Sequence, residues 1–126
     1  MRAARTTEEL LDDIVRWGDK LTRHIGDVTE EAFLKDEKTQ DAVTKCVEAI
    51  GAAAGEILKA EPDIETQYPE LQLRNAYALR NRLSHGYHSI DYEILWNTVN
   101  LSIPGAVDAA RAALAIRRAQ DGGGEG

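Results

Sequence analysis

A single cysteine, Cys46, leaves this chain without an intramolecular disulfide framework or a cysteine-rich zinc site. Cys46 falls on an apolar helical stripe and reads as a small core residue. No stretch approaches the 18 or more apolar residues of a membrane-crossing helix, so no membrane role is expected. The polar start, Met1 to Glu9, lacks the apolar segment of a secretory leader. Together these absences point to a reducing cytoplasm. Basic excess is missing too: the formal charge is −7, which argues against broad, non-specific nucleic-acid binding. It leaves room for a site that needs only local positive charge. One further absence is local. From Leu71 to Ile90 there is no acidic residue, although Asp and Glu make up 22 of the 126 residues. That window holds Arg74, Arg80 and Arg82, leaving −10 for the rest of the chain. Carboxylates kept away from one stretch mark a site for something negative.

At 43% hydrophobic the chain can build one core and one domain, residues 1–120. Apolar residues recur with helical spacing throughout, and no segment alternates with period two. Leu10, Ile14, Trp17, Leu21 and Ile25 mark a first helix. Thr6 and Glu9 form a capping box at its start, and Gly26-Asp27 ends it. A short turn covers roughly 29–35. The longest helix runs from about Asp36 to Ala60, with Val43, Val47, Ile50, Ala54 and Ile57 on one stripe. Its run Gly51-Ala52-Ala53-Ala54-Gly55 contains two glycines that cost about 1 kcal/mol each. Close approach of another helix is the expected reason, and a dimer contact is a further possibility. Pro69 suits the first turn of a third helix, which carries Leu73, Ala76, Leu79 and Leu83 inward and ends near Ser84 to Gly86. Asp91 caps a fourth, holding Ile94, Leu95 and Val99. Pro104 either kinks that helix or opens a fifth over about 105–119. Residues 121–126, rich in glycine, are expected as a disordered tail. The fold class is all-α: an up-and-down bundle of four main helices plus a short one. Trp17, Trp96 and Phe33 are read as core rather than as base-stacking platforms.

Within the acid-free window, Arg80-Asn81-Arg82-Leu83-Ser84-His85-Gly86-Tyr87 gathers an Arg, an Asn, a His and a Tyr at a helix end. Arg80 and His85 are five residues apart, so on a continuous helix they point roughly 140° away from each other. Either the helix ends near Ser84 and Gly86 swings His85 back, or two copies of the chain pair around one cleft. Asn81 precedes His85 by four residues, on the same face, and could fix its tautomer. His85 and His88, three apart, make at most half a metal site, and no metal or other cofactor is expected. Blander roles exist for each residue: Arg80 in an ion pair, His85 at a helix C-terminus where positive charge is favoured, Tyr87 as a packing residue.

This run, followed by Ile90-Asp91 and Trp96, resembles the signature of the HepT-type HEPN-domain ribonuclease toxins, Arg-x4-His-x-Tyr with Asn after the Arg. Phe33 to Asp36, Thr39 to Val43, Glu48 to Gly51 and Tyr68-Pro69-Glu70 follow the family's order. The resemblance covers roughly residues 8–115. It implies a HEPN-like bundle that forms homodimers and cleaves RNA, mRNA or tRNA, without metal. By this resemblance Arg80 stabilises the scissile phosphate. His85 acts as general base on the 2′-hydroxyl or general acid toward the leaving oxygen. The product carries a 2′,3′-cyclic phosphate, Asn81 gives support, and Arg74 and Arg82 guide RNA. Tyr87 is the residue that an MntA-like nucleotidyltransferase antitoxin would neutralise by adenylylation, adding bulk and charge. The chain departs from the family pattern at Ala52, where an acidic residue is usual, and at Gln72-Leu73, where Pro-Trp is common. Two other readings compete: a catalytically silent HEPN module partnering a minimal nucleotidyltransferase, and a plain helical interaction protein.

Overall fold

The structure, a computed structural model, describes residues 5–85 and 89–123. They form helices α1 (Thr7–Ile25), α2 (Glu30–Phe33), α3 (Glu37–Ala60), α4 (Ile64–Gln67), α5 (Leu73–His85), α6 (Tyr92–Leu101) and α7 (Ile103–Gly123), with a 3₁₀ turn over Pro69–Leu71. No strand occurs among the described residues, and the fold is an all-α bundle.

The capping box stands as expected. The Thr6 hydroxyl accepts from the Glu9 amide at 3.1 Å, and the Glu9 carboxylate accepts from the Thr6 amide at 3.0 Å. Asp36 caps α3 by accepting from the Thr39 amide at 3.2 Å, and Asp91 caps α6 through the Glu93 and Ile94 amides. With their starts fixed, the long helices bury one stripe each. α3 is central, with α1 against one side and α5 against the other, while α7 lies on α1 and α6 bridges α7 and α2. Leu10, Ile14, Val43, Val47, Ile50 and Ile57 are buried, as is Cys46, whose thiol burial pushes up in pKa. Phe33 is fully buried against the rings of Trp96 and Tyr92, at centroid distances of 5.1 and 6.2 Å. Trp17 is half-buried on the same core.

Several boundaries differ from the sequence reading. The segment after Pro62 is a short helix, α4, and Pro69 starts a separate 3₁₀ turn rather than the third long helix. Gln72, in the left-handed region at φ 50° and ψ 40°, breaks the chain there and restarts it as α5. Pro104 opens α7 instead of kinking α6, sitting in a first turn whose amides have no helical acceptor anyway. α7 continues to Gly123, three residues into the segment expected as a tail. Extending an existing helix fixes only one residue per hydrogen bond, so two glycines do not stop it. Residues 124–126 lie outside the described residues. On α6, Leu95 and Val99 are buried one turn apart, but Ile94, about 100° around the helix, is 55% exposed.

The far end of the bundle is held by polar contacts. Arg117 donates to both oxygens of Glu61, at 2.7 and 2.5 Å, and lies 3.7 Å from Glu8. The Thr7 hydroxyl donates to the same carboxylate. The start of α1, the end of α3 and the end of α7 are thereby joined.

Candidate active site on the fifth helix

α5 has one apolar face and one basic one. Leu73, Ala76, Leu79 and Leu83 are buried. At 100° per residue, Arg74, Ala78, Asn81 and His85 fall within about 60° of one another on the opposite side, and Arg74, Ala78 and His85 are exposed. Arg80 occupies the flank turned toward α3 and is half-buried. What allows α5 so close is the small-residue run of α3. A methyl group at Gly51 would stand 2.2 Å from Arg80 Cβ and 2.7 Å from the Ala76 carbonyl oxygen. One at Gly55 would meet the Tyr77 ring at 2.5 Å. The run is thus occupied by a helix of the same chain, and Gly51 is the floor on which the Arg80 stem rests.

From that floor the Arg80 guanidinium reaches Asn81, whose Oδ1 accepts from Nη1 at 3.2 Å. The supporting role foreseen for Asn81 therefore goes to the arginine; no hydrogen bond joins Asn81 to His85 among the described residues. His85 is the last residue of α5 and is exposed. The helix ends at His85, within the expected Ser84 to Gly86, and His85 is itself helical, so Arg80 and His85 diverge by roughly 140° around one continuous helix. Arg82 is exposed on the flank facing α6. Arg74 sits in the first turn, its guanidinium 3.3 Å from the Pro62 carbonyl oxygen. Tyr87, with Gly86 and His88, lies outside the described residues.

The electrostatics follow from the acid-free sequence. None of Arg74, Arg80 and Arg82 makes an ion pair among the described residues, nor does Arg23 on α1, whereas Arg5, Arg16, Arg111, Arg117 and Arg118 each do. A guanidinium without a carboxylate keeps its donors for an outside anion. No cluster of metal-ligating side chains occurs among the described residues. The role of Gly51 was legible only as a packing glycine, because its partner lies 29 positions away on another helix. A groove beside Arg82, lined from α5, α6 and α7, left only one trace in the sequence: its α5 side falls inside the acid-free window.

An all-α bundle with an unpaired arginine, a supporting asparagine and an exposed helix-end histidine on one helix defines a HEPN-like protein with a basic motif helix. Comparison with known proteins gives the family: the Ribonuclease HepT-like profile matches residues 14–113, and the chain belongs to the HepT-like ribonuclease family. It is 33% identical over 100 residues to the probable ribonuclease HepT of Thermococcus cleftensis, covering 79% of this chain and 88% of the relative. An RNase candidate of Methanocaldococcus jannaschii, MJ0125, is 31% identical over 100 residues, covering 79% and 84% of the two chains. A second from that organism, MJ0127, is 38% identical over 78 residues, 62% of each. No solved structure matches the chain significantly. No helix among the described residues is long and apolar enough to cross a membrane.

Proposed function

We propose that the chain is a metal-independent endoribonuclease of toxin type, whose active unit is a homodimer with two α5 helices facing one cleft. The observation that carries this reading is Arg80: half-buried, seated on Gly51, steadied by Asn81, and free of any carboxylate among the described residues. In a protein of charge −7, such an arginine is held ready for an anion. Arg80 and His85 diverge on their own helix, so a second copy is the simplest way to bring an imidazole and a guanidinium to one phosphodiester.

In that cleft the chemistry balances. One imidazole takes the proton of the 2′-hydroxyl while its oxygen attacks phosphorus. Arg80 stabilises the extra charge of the pentacoordinate phosphorus. The bond to the 5′-oxygen breaks, and that oxygen receives a proton from the second imidazole, which is protonated at the start. The products are a 2′,3′-cyclic phosphate and a 5′-hydroxyl. Neutralisation by a nucleotidyltransferase antitoxin would put AMP on Tyr87, two residues from His85, where its bulk and charge close the cleft to RNA.

The test is direct. Purified protein should cut tRNA or mRNA in EDTA, and the cut ends should carry cyclic phosphate. Intact RNA after hours with micromolar protein would defeat the reading. Co-production with a nucleotidyltransferase partner should add about 329 Da, or multiples, to the Tyr87 peptide.

A further inference from the structure

Between α5 and the corner where α6 meets α7 lies a groove of about 470 Å³, within the size range of small-ligand clefts, roughly 300–1,000 Å³. Its floor is apolar, formed by Ala76, Leu79 and Ile103. Its rim is polar and includes Gln72, Asn75, Arg82 and Ser102. Among the described residues, the side chains of these four rim residues make no hydrogen bond or ion pair. No carboxylate lines the groove, in contrast to the one along α1 and α7, which is flanked by Asp19 and Asp108.

Gln72 adds an observation of its own. It has the one left-handed non-glycine backbone among the described residues, at φ 50°. Glycine would hold that conformation without strain, and the left-handed region is costly for a side-chain-bearing residue. A glutamine kept there at a cost in strain supplies what glycine cannot: a carboxamide on the groove rim.

We infer that this groove binds one nucleotide of single-stranded RNA next to the cleaved phosphodiester, with Gln72 and Asn75 reading the base edge and Arg82 holding a phosphate. The inference rests on the ribonuclease reading above and adds the part that selects where the RNA is cut. Carboxamides offer a donor and an acceptor side by side, the pattern a base edge requires. Unstacked bases of single-stranded RNA can enter such a slot, whereas paired ones cannot. The missing carboxylates and the unpaired Arg82 favour an anionic ligand over a basic or plain apolar one, and the ribonuclease reading makes that anion RNA. Arg82 precedes His85 by three residues, about 4.5 Å along the helix axis, so the groove opens beside the proposed reacting histidine.

Gln72→Gly and Asn75→Leu test this in the full chain, using three measurements. The first is binding of a fluorescent single-stranded RNA whose 2′-hydroxyls are methylated, so that it cannot be cut. The second is KM and cut-site sequence on natural RNA, and the third is the thermal midpoint. Gln72→Gly should leave the midpoint unchanged or higher while weakening binding about tenfold and blurring the base preference at one position beside the cut. Asn75→Leu should weaken binding similarly, with the loss of cleavage appearing as a raised KM. If both variants bind the methylated RNA as wild type does and cut with unchanged base preference, the inference is overturned. Failure of the wild type to bind that RNA overturns it as well. If the wild type binds but never cuts, and Gln72→Gly weakens the binding, the groove stands and the ribonuclease reading falls.

Discussion

Arginine does two different jobs at the two ends of this bundle. At one end Arg117 is 18% exposed and engages both oxygens of Glu61, with Glu8 nearby. On α5, Arg80 and Arg82 meet no carboxylate among the described residues, and Arg80 has only the neutral Asn81 as partner. The first arrangement uses the guanidinium's donors internally and ties three helix ends together. The second leaves charge and donors available to a phosphate. Residue type therefore says little here; Arg117 differs from Arg80 and Arg82 in having carboxylates within reach.

Substitutions on α5 should have the largest effects. His85→Ala should lower the rate of RNA cleavage about 10²–10⁴-fold, the range for losing a positioned acid or base. Arg80→Ala should cost about 10²–10³-fold through lost charge stabilisation. Both variants should keep their circular dichroism spectrum and melting temperature close to wild type. A variant that cuts RNA at the wild-type rate would move that side chain out of the active site. Gly51→Ala tests how Arg80 is held. Overpacking costs about 1–3 kcal/mol, against about 1 kcal/mol returned by the better helix former. The obstacles are a helix carbonyl and an arginine Cβ, not flexible side-chain ends, so a net loss of about 1–2 kcal/mol is expected in chemical denaturation. Cleavage should fall with it, because Arg80 is pushed off its seat.

At the other end the expected effect is on stability and its pH dependence. Hydrogen bonds from Arg117 hold the Glu61 carboxyl below its usual range; burial opposes this, and the Thr7 hydroxyl adds to the lowering. A carboxyl with a depressed folded pKa stabilises the fold above its unfolded value of about 4.5, and that contribution is lost as pH falls through the folded value. Arg117→Ala should cost about 1 kcal/mol at neutral pH, since partial exposure of the carboxylate limits the pair. Glu61→Gln should be less stable than wild type at pH 7 and should lose less on acidification below about pH 4.5. Equal acid sensitivity in the two proteins would remove Glu61 from the account. RNA binding should be untouched by either change.

How much of this was readable beforehand depends on where the determining atoms lie along the chain. The inward stripes of α1, α3 and α5 followed from spacing, because burial of a helix face leaves a 3.6-residue period. The caps at Thr6, Asp36 and Asp91 are local too. Gly51 was visible as an expensive residue inside a helix, but not as the seat of Arg80, since the pairing of α3 with α5 is tertiary. The left-handed Gln72 was unreadable: nothing in Leu71-Gln72-Leu73 announces a positive φ. It moved the start of the motif helix from Pro69 to Leu73, and with it the groove rim. The Glu61–Arg117 lock spans 56 positions, beyond the reach of any local pattern.

The smallest effects should separate the arginines one by one. Each phosphate contact contributes about 0.7 to the slope of log affinity against log salt for a single strand. Arg82→Ala should therefore weaken binding of uncleavable RNA and lower that slope by about 0.7. Arg74→Ala should do less, because its guanidinium is already within hydrogen-bonding distance of the Pro62 carbonyl oxygen and must exchange that contact for a phosphate. Arg111→Ala is the counterpart from the paired group: Arg111 donates to Asp19 at 2.8 Å, so its loss should leave the slope unchanged. A slope that falls equally for Arg82 and Arg111 would mean that RNA senses only total charge. The division between internal and outward-facing arginines would then have no functional meaning.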